Sequence, residues 1–266
     1  MLSIDQKNER EDELEKIKGI YDILEMDLEP FKNVTYYYPH SADYTVYTYE
    51  KESVIKERLE MGKAYQYKYL FENTEDKECL DLLFANVDDP NETIESIIND
   101  IISESGKFNG IENWSDFREV LSEQTQPQKT TQGKEISVLS WRKFYRLFNK
   151  AYQKNKQMFT DSLGNSGKCV RLRDKIAQIK KNDVMVIDIA KLDEETQGFV
   201  FGDVVRAVYN FKLSSDRQDE DFPDRVIVFI DELNKYASND VPKSSPILHQ
   251  LLDITERGRS LGIVLF

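Results

Sequence analysis

The sequence predicts an α/β fold, a parallel sheet flanked by helices, and the evidence lies in its last third. Asp183 to Leu192 (DVMVIDIAKL) is an apolar run interrupted only by Asp188 and the lysine and acid at its ends. RVIVFIDELNKYA, from Arg225, is a second such run, and LGIVLF, from Leu261 to Phe266, is a third. Runs without in-out alternation belong to strands buried on both faces, as in parallel sheets. Helical patterns separate them: DEETQGFVFGDVVRAVYNF, with Asp193 at its N-cap, and then LHQLLDITERGRS. Alternating strands and helices predict parallel crossovers and a sheet covered on both faces.

Upstream, Asp5 to about Met26 places Leu14, Ile17, Ile20, Tyr21 and Leu24 at helical spacing and predicts an amphipathic helix. VTYYYP and YTVYTYE, centred on Tyr37 and Tyr47, are dense in β-branched and aromatic residues and predict two short strands. Lys77 to Ser105 predicts a helix, a turn at Asp88-Asp89-Pro90-Asn91 and a second helix entered at Asn91 or Thr93. EQTQPQKTTQGKE, from Glu123 to Glu135, carries too little apolar surface to order itself and predicts an exposed loop, with residues 107–135 projecting as an insertion. Val138 to Tyr152 returns to helical spacing through Leu139, Phe144, Leu147 and Tyr152. The chain divides accordingly into a helix-rich region with short strands at 1–182 and a strand-helix core at 183–266.

Composition excludes several classes. A net charge of −13 offers no chain-wide attraction to phosphates, so any nucleic-acid contact is local, in basic stretches such as Trp141–Gln157 and Gly167–Lys181. Two cysteines, Cys79 and Cys169, have no CxxC partner, which argues against structural zinc and fits a reducing cytoplasm. Two histidines, His40 and His249, make a histidine-based site improbable. No apolar stretch is long enough to span a membrane.

One segment carries chemistry. Val226 to Ile230 builds a strand that delivers Asp231 and Glu232 at its carboxyl end, where open α/β sheets place ligands. An acid there can hold the water shell of a Mg²⁺ that bridges the β- and γ-phosphates of ATP, and the next can orient or deprotonate the attacking water. A strand that simply ends in solvent also ends in acids, so the following NKYA, helix and ERGRSLGIVLF matter: they supply the next strand of such a core.

FIDELNKYA, its spacing to ERGRSLGIVLF, and the upstream VMVIDIAKLDEETQGFVFGDVVRAVY resemble the core of HerA/FtsK-type ATPases, DNA translocases and helicases with a RecA-like P-loop NTPase fold. The resemblance is clearest from Asp183 to Phe266 and weaker from Leu28 to Asp100. It makes residues 183–266 the Walker B half of that core. It implies a homo-hexamer that pumps double-stranded DNA with ATP and Mg²⁺, with a nuclease as a possible partner. It also implies an arginine reaching the neighbouring subunit's nucleotide, which falls here on Arg257 or Arg259. Either arginine serves equally well to cap the dipole of the preceding helix.

The phosphate-binding GxxxxGK[ST] is not in the sequence. Gly164 to Cys169 (GNSGKC) has the wrong spacing, no hydroxyl after Lys168 and no apolar strand before it, and reads as a turn. In the family the loop precedes the first helix, so the sequence reads as a partial core that begins after it and stops on an apolar strand. Two further readings stand beside the motor: a catalytically inactive assembly subunit without its own phosphate loop, and a nuclease using Asp188 and Asp231 for metals.

Overall fold

The computed structural model describes residues 18–23, 31–126, 136–214, 220–238 and 240–266. Every strand pair is parallel, as predicted, but the three apolar runs do not share one sheet. Four strands, β1 (Asn33–Pro39), β2 (Ala64–Tyr67), β3 (Cys169–Val170) and β4 (Asp183–Ile187), lie in the order β3-β2-β1-β4. The register sets Tyr36 opposite Ala64 and Val186. Two more strands, β5 (Val226–Val228) and β6 (Ile263–Leu265), form a separate parallel pair with Ile227 opposite Val264.

The predicted strand at YTVYTYE is corrected: residues 42–50 form turns and bends. Tyr44 adopts φ 59°, which ends extended structure, and the segment is tied down by side chains. The Tyr47 hydroxyl donates to the Lys154 carbonyl at 3.2 Å, and the Thr48 hydroxyl donates to the Asp188 carboxylate. The second strand is AYQY at Ala64–Tyr67, reached through helix α1 (Glu52–Glu60).

Between β2 and β3 the chain makes a long helical excursion: α2 (Thr74–Glu78), a 3₁₀ turn (Cys79–Phe84), α3 (Thr93–Ile102), α4 (Trp114–Gln124) and α5 (Val138–Lys154). Helix α3 does begin at Thr93, but its entry is fixed by the Asp89 carboxylate, which accepts from the Ile94 amide, while Glu92 takes a left-handed φ of 53°. Residues 114–124 do not project. Asn113 caps α4 by accepting from Asp116 N–H at 2.8 Å, and Trp114, Phe117 and Leu121 face the core. The buried stripe of α5 is Trp141, Phe144, Phe148 and Ala151, with Leu139 exposed, so its apolar face is rotated from the one the spacing suggested. Most of the predicted helix at Asp5–Met26 and of the loop at Glu123–Glu135 lies outside the described residues; residues 18–23 are helical.

Short α6 (Leu172–Ile176) leads into β4, and α7 (Glu194–Ser214) returns the chain to β5. Asp193 sits immediately before α7, its carboxylate accepting from the Thr196 hydroxyl at 3.1 Å. α8 (Asn234–Ala237) and α9 (Pro246–Leu261) then lead to β6. One large core fills the α7 side of the sheet. Trp114 anchors its aromatic part: the ring stacks on Phe148 with centroids 6.0 Å apart and its indole N–H donates to the Tyr69 carbonyl at 2.9 Å. A smaller cluster of Tyr36, Tyr38, Ile55, Leu59 and Ala64 packs under α1 on the other face. Coverage of both faces holds for β1 and β2 but not for β5 and β6: Ile227, Phe229 and Phe266 are exposed. Among the described residues no helix is long and apolar enough to cross a membrane.

Candidate functional site

The backbone at the end of β5 places the acids. The Ile230 N–H donates to the Phe266 carbonyl at 2.8 Å, the last bond of the β5–β6 ladder, and the strand then breaks. Asp231 and Glu232 follow, both exposed. Glu232 has φ 58°, a left-handed conformation that L side chains adopt at a cost of about 1–3 kcal/mol. That conformation reverses the chain into α8, where Lys235 N–H donates to the Glu232 carbonyl and Tyr236 N–H to the Leu233 carbonyl, each at 2.9 Å.

Tyr236 fastens this turn to the core. It is buried and stacks on Phe201 of α7 with ring centroids 4.2 Å apart, so α7 fixes the height at which the acids stand. Burial pushes the Tyr236 phenol up to about 12, and the negative charges of Glu232 and Glu194 add to the rise. Glu194, the first residue of α7, thus lies within electrostatic reach of the β5 turn. The Glu232 carboxylate pairs with Lys235, whose pKa is raised by that hydrogen bond and further by Glu194 and Asp231. Asp231, Glu232 and Glu194 therefore all act electrostatically on the Lys235 ammonium. Sequence reasoning singled out the first two. It missed Glu194, Lys235 and Tyr236, although Glu194 was signalled by its position at the neighbouring strand-to-helix junction, on the same carboxyl edge of the fold.

Asp188, at the carboxyl end of β4, is committed to structure. Its carboxylate accepts from the Thr48 hydroxyl and from Ala190 N–H at 3.0 Å, and its carbonyl accepts from the Tyr67 hydroxyl at 2.8 Å. Among the described residues no three histidine, cysteine, aspartate or glutamate side chains are grouped to hold a metal ion. Asp231 nevertheless suits a hydrated cation as a single donor, because its carboxylate is exposed at the strand end.

The arginines stand elsewhere. Helix α9 runs back along β6, so its last turns lie at the amino ends of β5 and β6, opposite Asp231 and Glu232. Arg257 is exposed and meets the Tyr209 side chain, which with Asp253 raises its pKa. Arg259 lines an open depression of about 420 Å³ together with Arg225, Thr255 and β6. Neither arginine stands at the Asp231–Glu232 end of its own chain's β5.

GNSGKC forms a turn, with Gly164 at φ 76° and Gly167 at φ 67°, and feeds β3 rather than a helix. Just beyond it, half-buried Cys169 approaches His40 Nδ1 at 3.8 Å, and the same nitrogen lies 3.3 Å from Gln66 Oε1. Cys79 is buried among Arg173, Arg206 and Asp203, and burial pushes its thiol up to about 12, so it is a packed, unreactive thiol. No protein-family model and no curated protein matches the chain.

Proposed function

We propose that this chain supplies the Walker B half of a HerA/FtsK-type, RecA-like ATPase core, part of an ATP-driven double-stranded DNA translocase that hydrolyses ATP at a subunit interface. The observation that carries the reading is the end of β5: a parallel strand that breaks abruptly and presents Asp231 and Glu232 to solvent, on a turn held to the core by Tyr236.

In this reading Asp231 would hold a hydrated Mg²⁺, which would supply charge neutralisation for the phosphates. Glu232 orients the attacking water and accepts its proton. The exposed Lys235 contact is easily exchanged for water, so the Glu232 carboxylate is free to turn. Arg257 and Arg259, at the far end of β5 and β6, are consistent with service to a neighbouring subunit's nucleotide in a hexamer, where a guanidinium fork matches the phosphoryl oxygens. The test is Glu232→Gln in the ATP-hydrolysing assembly that contains this chain: hydrolysis should fall by at least a hundredfold with the assembly intact. Hydrolysis near the parental rate sinks the assignment.

The exposed apolar face of Ile227, Phe229 and Phe266 favours a second reading, a non-catalytic assembly subunit. Co-purification with a P-loop-bearing protein whose ATPase rate is indifferent to Glu232→Gln would select it.

A further inference from the structure

The β5–β6 pair has an open edge with a defined chemistry. Val226 N–H donates to the Gly262 carbonyl and Phe266 N–H to the Val228 carbonyl, each at 2.9 Å. In a parallel ladder this parity turns the backbone of Gly262, Val264 and Phe266 toward β5 and that of Ile263 and Leu265 away from it. Among the described residues β6 pairs with β5 alone, so Leu265 offers its N–H and carbonyl to an incoming strand. The depression of about 420 Å³ lies along this edge, bounded by Ile263, Val264 and Leu265 on one side and by α9 on the other.

The walls of the depression differ from end to end. Thr255 and Arg259, four residues apart on one stripe of α9, line it and both are exposed. Because α9 runs opposite to β6, Arg259 lies beside the start of the strand, where Arg225 also lines the depression. Toward the strand's end the lining is Val264 and Leu265, with Ile254 of α9 beside them. Among the described residues neither Arg225 nor Arg259 has a carboxylate partner, in a chain whose net charge is −13. The end near Arg225 is therefore cationic and the end near Leu265 apolar.

We propose that β6 receives a strand from another protein, an extended segment with alternating apolar side chains and carboxylates at the end that meets Arg225 and Arg259. Main-chain bonds to Leu265 supply affinity, and the two arginines at one end with Val264 and Leu265 at the other set orientation. A chain this acidic repels acidic partners over most of its surface, so the two arginines also restrict docking to this edge. The inference does not rest on the nucleotide reading, because the strand binds without ATP.

The probe is a fluorescein-labelled peptide of alternating valine and threonine carrying glutamates at either its amino or its carboxyl end, with lysine-bearing counterparts, followed by fluorescence anisotropy. One glutamate peptide should bind at least tenfold more tightly than its lysine counterpart, and Arg225→Glu with Arg259→Glu should reverse that preference. Leu265→Pro removes an N–H that β5 does not use and should abolish binding while circular dichroism stays unchanged. Should that variant not fold, a glutamate peptide N-methylated at alternate residues gives the same readout on the native protein. Absence of binding by both glutamate peptides, an unchanged preference after charge reversal, or equal binding of the N-methylated peptide overturns the proposal. So does concentration-dependent dimerisation that Leu265→Pro abolishes, since a second copy would then fill the edge.

Discussion

Arg173 reaches the buried carboxylate of Asp203 at 3.0 Å, joining α6 to the middle of α7. The same guanidinium bonds Asp76 at 3.1 Å, and Arg171 pairs with Asp76 as well, so α2 is drawn into the network. Breaking such a pair leaves a charge in a site that water does not fill.

Asp203→Ala is accordingly expected to destabilise the fold by about 3 kcal/mol, at the low end for a broken buried pair because Asp76 still faces the guanidinium. Urea denaturation reads the loss. The double variant Arg173→Met with Asp203→Leu should recover most of it, since apolar replacement of both partners removes the uncompensated charge. A loss below about 1 kcal/mol for Asp203→Ala would show that the network adds little beyond packing.

Glu232→Gly tests whether the candidate site stores strain. The left-handed φ of 58° suits glycine, so relief should raise stability by about 1 kcal/mol even though the Lys235 contact is lost. Any residue kept there for its carboxylate is kept against this preference. A lower melting temperature for the glycine variant would remove the strain argument and leave Glu232 as an ordinary turn residue.

The legible and illegible parts of the fold divide along physical lines. β4, β5 and β6 could be read because each is an apolar run set between helical patterns, although of their residues only Ile263 is buried, and α7 because Asp193 marks its start. Tyr44 to Glu50 misled because aromatic and β-branched residues serve equally well in a knot of turns pinned by Tyr47 and Thr48. Ala64–Tyr67 and Cys169–Val170 are too short to announce themselves: the first depends on β1 for pairing, and the second on the first. Asp231 and Glu232 stood out as acids ending an apolar run. Glu194 and Tyr236 join them only through the packing of α8 on α7, a contact that no local pattern encodes.

His40 provides a pH test. Burial lowers its pKa below the ordinary histidine value and the Lys68 charge lowers it further, against a smaller opposing effect of the Gln66 hydrogen bond. The folded protein therefore prefers neutral His40, while the unfolded chain takes up a proton near pH ~6.5. Stability is unaffected above that value and falls as pH drops from it toward the folded pKa. The melting temperature should decline as pH falls below about 6.5, and His40→Gln should decline less over the same window. Equal declines would place the loss on other groups.

Two glycines one turn apart on α7 report how closely α9 packs. A Cβ on Gly198 would meet Ile247 Cδ1 at 3.4 Å, an ordinary contact. A Cβ on Gly202 would lie 2.6 Å from Leu82 Cδ2 and 3.1 Å from Ile247 Cγ1, both on buried side chains with little room to retreat. Gly198→Ala should therefore leave stability unchanged or raise it by up to about 1 kcal/mol through helix propensity. Gly202→Ala forces Leu82 off its rotamer and should cost about 1–3 kcal/mol. Thermal melts of the two variants decide the matter. If both alanines were tolerated equally, α7 and the 3₁₀ turn would be looser than the Gly202 contact implies, and the turn carrying Asp231 and Glu232, which hangs on α7 through Tyr236, would be less firmly positioned.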